Sequence, residues 1–119
     1  MVVLMSVLAM AVPTPEIAVP VAHRAPVCNL ACRRIRRKRR IVRPYNAKLE
    51  RMAWCESRKR WWINTGNGFY GGLQFTLGTW RWVGGSGYPH QNSELEQKYR
   101  AVKLIHKGGY GHWPRCGYV

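Results

Sequence analysis

Glu56 is the residue of this chain best placed to move a proton. It lies in the run Trp54-Cys55-Glu56-Ser57. Leu49, Met52, Ala53 and Glu56 recur at i, i+3, i+4 and i+7, so one helix face carries three apolar side chains and then a carboxyl group. That phase turns Glu56 inward at the C-terminal end of the helix, where desolvation and the negative end of the helix dipole both favour its protonated form. A carboxyl group held protonated near neutral pH is a general acid. The alternative for Glu56 is a surface ion pair with Arg58, Lys59 or Arg60.

Downstream, the run from Ile63 to Phe75 interleaves aromatic faces with amide and hydroxyl groups: Asn64, Thr65, Asn67, Phe69, Tyr70 and Gln74 among four glycines. Flat apolar faces beside hydrogen-bonding groups suit a sugar-binding groove. The same residues would equally serve a packed hairpin with Gln74 turned to water. Asn67-Gly68 is a hairpin-turn dipeptide, and Leu73-Gln74-Phe75 alternates as a short strand would.

The remaining acids have other work. The sequence has no aspartate and five glutamates. Glu94 with Lys98 and Glu96 with Arg100 are i,i+4 pairs of the favourable orientation, and Glu50 sits early in its helix, where the dipole suits an acid. Glu16 lies far upstream. Glycosidic-bond hydrolysis ordinarily uses two carboxyl groups, and Glu56 has no second one near it. A lone carboxyl group fits a different route. It protonates the leaving oxygen, then acts as base on a nucleophile that the substrate itself supplies.

The elements that position these residues follow from patterning. The helix holding Glu56 begins after Pro44. Thr76 caps a short helix through Thr79-Trp80-Arg81-Trp82 that Gly84-Gly85 ends. Ser93-Glu94-Leu95-Glu96 opens a last helix in a capping box, and Gly108-Gly109 stops it. Leu95, Tyr99, Val102 and Ile105 or His106 line its buried face.

In front of this domain the composition changes. Residues 1–12 are apolar apart from Ser6, too short to span a bilayer, and Ala9-Met10-Ala11 has the small-x-small form of a signal-peptide cleavage site, although no basic residue precedes the run. Residues 13–44 form a linker and tail, first proline-containing and then arginine-rich. Arg33 to Arg43 has eight basic residues in eleven and reads as a disordered charge run. The whole chain has 20 Lys and Arg against 5 acids, a net charge of +15. Such a balance favours an anionic partner and leaves its class open among wall polymer, lipid surface and nucleic acid. No aromatic residue is interleaved with the arginines, so a stacking single-strand binder is not supported.

All six tryptophans and both phenylalanines fall in residues 45–119, which therefore hold the core. A domain of that size, about 75 residues, buries limited apolar surface and commonly carries a covalent staple. The four cysteines allow three pairings. Cys28 and Cys32 suit a local or intermolecular disulfide or free thiols better than zinc, since only His23 stands near them. Disulfides imply an oxidising compartment. No metal site and no cofactor are expected.

Several of these motifs recur together in one family. Cys55-Glu56-Ser57, the run Trp62 to Phe75, Gly78-Thr79-Trp80, and Gly109-Tyr110-Gly111-His112-Trp113-Pro114-Arg115-Cys116 resemble, in order and spacing, the catalytic domain of resuscitation-promoting factors, the secreted muralytic enzymes of actinobacteria. The likeness covers about residues 45–117. It implies a small lysozyme-like α+β fold, with helices around a short β-hairpin and one disulfide. Matched residue by residue, it implies Glu56 as catalytic acid, Cys55 and Cys116 as the disulfide, and Gln74, Thr79, Tyr70 and Tyr110 in the glycan groove. Arg58-Lys59-Arg60 and Tyr110 depart from the usual residues of the family.

The resulting expectation is a lytic transglycosylase or muramidase acting on the MurNAc–GlcNAc β-1,4 bond of peptidoglycan strands, in which the muramyl 6-hydroxyl attacks to leave a 1,6-anhydro end. The Arg33–Arg43 tail would hold anionic wall polymers. Neither a specific nucleic acid nor a stable membrane span is expected, and the location would be secreted, at the cell wall or in a phage particle. The alternatives are a non-catalytic peptidoglycan-binding or virion structural module, and a basic nucleic-acid-binding protein.

Overall fold

A computed structural model describes residues 9–17 and 25–119. Residues 1–8 of the segment read as a signal peptide, and residues 18–24 of the proline-containing linker, lie outside the described residues.

Among the described residues four α-helices make the fold: α1 (Leu30–Val42), α2 (Asn46–Ser57), α3 (Leu77–Trp82) and α4 (Glu94–Gly108), joined and followed by short 3-10 turns. α2 buries Leu49, Met52 and Ala53, the apolar stripe of its sequence. Leu73, Phe75 and Trp80 meet that stripe from the middle of the chain, and Ala101, Val102, Leu104 and Ile105 of α4 close the core. Ser93 caps α4 by accepting a hydrogen bond from the Glu96 amide, and Gly109 ends it at φ +70. Thr76 caps α3 in the same way through the Thr79 amide.

The expected α+β architecture is not what forms. Between Asn64 and Phe75 there are only two isolated bridges, Asn64 with Tyr70 and Tyr70 with Phe75, and among the described residues no strand and no sheet. The reason lies in the turn residues themselves. Asn64 Oδ1 accepts from the Gly66 amide at 3.0 Å and Asn67 Oδ1 from the Phe69 amide at 3.2 Å. Those local bonds draw the backbone into side-chain turns that compete with a ladder. Gln74, at φ +53, likewise breaks the alternation of Leu73 and Phe75.

The arginine run is also not a disordered tail. Asn29 caps α1 by accepting from the Cys32 amide, and a disulfide joins Cys28 to Cys32 across the same turn. Ile41 and Val42 pack on the core, and Lys38 pairs with Glu96 of α4. α1 is therefore a docked helix. The second disulfide, Cys55 to Cys116, ties the end of α2 to the end of the chain. The structure thus has two disulfides, and the expectation of one is corrected.

Candidate active site

α2 stops directly behind Glu56. Arg58 and Lys59 both adopt left-handed backbone, at φ 58 and 61, and their amides bond back to the Trp54 and Ala53 carbonyls. Non-glycine residues rarely take that conformation in succession. Each has a side-chain contact that offsets the cost: Arg58 lies over the Trp54 ring at 4.9 Å, and Lys59 pairs with Glu50.

The loop opposite is pinned by buried polar groups. Ser57 Oγ donates to the Gly72 carbonyl at 2.8 Å and accepts from the Arg60 amide. Gln97, fully buried in α4, accepts from the Gly72 amide at 2.9 Å and donates to the Trp61 and Asn92 carbonyls. Trp113 Nε1 donates to the Leu73 carbonyl at 2.9 Å. Gly72 has no alternative, because a Cβ there would lie 2.3 Å from the Trp61 ring. The result is a loop fixed from three sides, which presents Gln74.

Between this loop, the end of α2 and the C-terminal segment opens a cavity of about 340 Å³. Glu56 and Gln74 line it together with Phe69, His112, Trp113 and Arg115. Gln74 Nε2 donates to the Gly71 carbonyl at 2.9 Å, which leaves its Oε1 as an acceptor. Burial raises the Glu56 carboxyl above its ordinary range, and the positive charge of Arg115 opposes that rise without cancelling it. Among the described residues no other carboxylate lines the cavity. This arrangement can hold a proton over a ligand and deliver it.

Three residues expected in the groove lie outside that lining. Tyr70 stacks on His90 at 5.5 Å and meets Tyr88 edge-on. Thr79 is tied to the Thr76 hydroxyl at 2.9 Å at the start of α3. Tyr110 packs on the core with the Lys48 ammonium 5.0 Å over its ring. Phe69 belongs to the run read as a groove, whereas Arg115 and His112 entered the sequence reading only as members of a longer motif. The signal for the last two was the Cys55–Cys116 pairing, which must carry the neighbours of Cys116 towards Glu56. Cys28 and Cys32 are spent on each other, and among the described residues no group of three His, Cys, Asp or Glu could hold a metal ion.

Comparison with known proteins bears on this site. The family model described as "Transglycosylase-like domain" matches residues 43–116. Resuscitation-promoting factor Rpf of Micrococcus luteus is 60% identical over 67 residues, covering 56% of this chain and 30% of that protein. RpfE of Mycobacterium tuberculosis is 48% identical over 73 residues, covering 61% of this chain and 42% of its own length. Rpf1 of Corynebacterium glutamicum is 43% identical over 70 residues, covering 56% and 36%. The chain thus spans less than half the length of each of these relatives.

Proposed function

Given that this chain belongs to the transglycosylase-like domain family, we propose that it cleaves the MurNAc–GlcNAc β-1,4 bond of peptidoglycan with Glu56 as general acid and then base. The observation that carries this reading is the solitude of Glu56: its carboxyl group is pushed upward by burial in a cavity where no second carboxylate stands among the described residues. With no partner to activate water from the opposite face or to form a glycosyl-enzyme, the two-carboxylate routes lack a residue.

Protonated Glu56 gives its proton to the glycosidic oxygen as the bond to the muramyl C1 breaks. The resulting carboxylate then takes the proton from the muramyl 6-hydroxyl, whose oxygen closes on C1 to form the 1,6-anhydro ring. Glu56 ends protonated, ready for the next bond. Arg115 limits how far the pKa rises, so the same group can serve in both directions. Gln74 is the amide that holds the sugar beside Glu56. Thr79, Tyr70 and Tyr110 would meet a strand only beyond the pocket.

The partner reading extends to anionic wall polymers. The helical phase of α1 sets Arg33, Arg36 and Arg40 opposite the Lys38 stripe that docks on α4. A fixed arginine stripe matches closely spaced anionic groups better than a loose tail would. Two disulfides support a site of action outside the cytosol, at the cell wall or on a phage particle. Among the described residues no helix is long and apolar enough to cross a membrane.

The test is muropeptide mass analysis of sacculi digested by wild type and by Glu56→Gln. The expected outcome is 1,6-anhydro ends from wild type and none from the variant. Reducing ends would replace transglycosylation by hydrolysis, and equal digestion by Glu56→Gln would remove Glu56 from the chemistry.

A further inference from the structure

Trp82 is an aromatic side chain that the fold does not use. Trp80, two positions earlier on α3, is fully buried, whereas Trp82 keeps 57% of its surface exposed. It is not isolated from the Glu56 cavity. His112, which lines that cavity, meets the Trp82 ring edge-on with centroids 6.2 Å apart. The His112 ring reaches this position against bare backbone, because a Cβ on Gly108 would lie 2.6 Å from its Nε2.

Trp82 also lines a second recess of about 510 Å³, together with Arg100, Lys103 and Lys107. Arg100 is committed to Glu96 and the Val83 carbonyl, each at 2.8 Å. Lys103 and Lys107 have no carboxylate partner among the described residues. The Lys107 ammonium sits 4.6 Å over the indole. An indole face draws a cation because of its negative quadrupole, and that same face accepts the C–H side of a pyranose ring. The Lys103 ammonium lies 5.2 Å over the Tyr99 ring, so both lysines rest on aromatic faces and not on carboxylates, and His112 links the Trp82 platform beside them to the cavity of Glu56.

We propose that Trp82 forms a second glycan subsite, reached from the Glu56 cavity across His112, where one sugar ring stacks on the indole and Lys107 with Lys103 binds a carboxylate carried by the strand. The subsite rests on the reading of the domain as one that takes glycan strands. Lys107 exchanges its place over the ring for the carboxylate as the sugar arrives. An uncharged strand would gain the stacking contact alone, so the subsite favours strands that bear lactyl or peptide carboxylates.

The test is done in the Glu56→Gln background, where strands stay intact, by calorimetric titration with soluble peptidoglycan fragments and with uncharged chito-oligosaccharides. Trp82→Ala should weaken both by about fivefold to tenfold, and Trp82→Phe should restore most of the loss, since a smaller aromatic face still stacks. Lys107→Glu should weaken the carboxylate-bearing fragments several-fold and leave chito-oligosaccharides within about twofold. In parallel, Trp82→Ala in the active enzyme should raise KM and leave kcat within about twofold, as loss of uniform binding does. Unchanged affinity in Trp82→Ala overturns the subsite. Equal weakening of both ligands by Lys107→Glu overturns its carboxylate preference. If the unmutated enzyme cleaves nothing while Glu56→Gln binds strands through Trp82, the cleavage reading falls and the subsite stands. If Glu56→Gln binds neither ligand, the subsite falls whatever the cleavage assay gives.

Discussion

Glu50 and Glu56 lie on the same helix, yet their surroundings drive them in opposite directions. Burial opposes ionisation of Glu50, but hydrogen bonds from Lys59 and Lys98 outweigh it and hold the carboxyl group at about 2. Glu56 has burial without such a partner, only the more distant charge of Arg115, and its pKa rises. Glu96 repeats the first case, lowered by Lys38 and Arg100 against its own desolvation. Partial burial does not by itself make a carboxyl group an acid. What distinguishes Glu56 is that, in a chain with 20 Lys and Arg, no cation among the described residues is in hydrogen-bond contact with it.

The comparison breaks most completely if the scaffold behind Glu56 is released. Cys55–Cys116 closes a loop across 61 positions, and replacing both cysteines by alanine should cost about 4 kcal/mol in the chain-entropy account. Thermal unfolding checks this. The loop closed by Cys28–Cys32 spans only 4 positions, and removing it should cost clearly less.

Next in size is Glu50→Gln. It strips a nearly buried Lys98, whose side chain is 7% exposed, of one of its two carboxylate partners, and should destabilise the fold by roughly 2 kcal/mol. Denaturant titration measures this, and cleavage by the folded fraction should be retained. Glu56→Gln should do the reverse, abolishing cleavage while leaving stability at neutral pH equal or higher.

The pH dependence follows with opposite signs for the two acids. Glu50 is depressed, so its stabilising contribution is present above the ordinary glutamate range and is lost as pH falls from about 4.5 towards 2. Glu56 is raised, so the folded state binds its proton more tightly than the unfolded chain does. Stability therefore declines as pH rises from the ordinary glutamate value through the folded one. Unfolding curves from pH 2 to 7 should lose the upper effect in Glu56→Gln and the lower one in Glu50→Gln.

The smallest structural effect belongs to the outer face of α1. Replacing Arg33, Arg36, Arg37 and Arg40 by glutamine removes like-charge i,i+4 neighbours and should shift stability by less than about 1 kcal/mol. The same variant should lose salt-sensitive retention on anionic wall polymer, measured by co-sedimentation over a salt series.

Much of this was legible in local patterns. The stripe Leu49, Met52, Ala53 and Glu56 and the caps at Thr76 and Ser93 are signals that one helix carries within itself. The failures were places where a local signal had a rival. Asn64 and Asn67 make turns whether or not strands flank them, so Asn67-Gly68 pointed to a hairpin that their side-chain bonds displaced. In the arginine run, charge masked a capped helix. Asn29 and the stripe of Lys38, Ile41 and Val42 were present, but what they dock on, Glu96 and the core, is far away in sequence. The pocket divides in the same way: Glu56 could be found from its helix phase, whereas His112 and Arg115 reach the cavity only through the Cys55–Cys116 link.

The most direct measurement of the central claim is a carbon-detected NMR titration of the glutamate side-chain carboxyl groups, assigned by Glu50→Gln and Glu56→Gln. The expected result is a Glu56 midpoint above the ordinary glutamate value and a Glu50 midpoint near 2. A Glu56 carboxyl that titrates at or below the ordinary value would contradict the account, because Glu56 would then hold no proton to give.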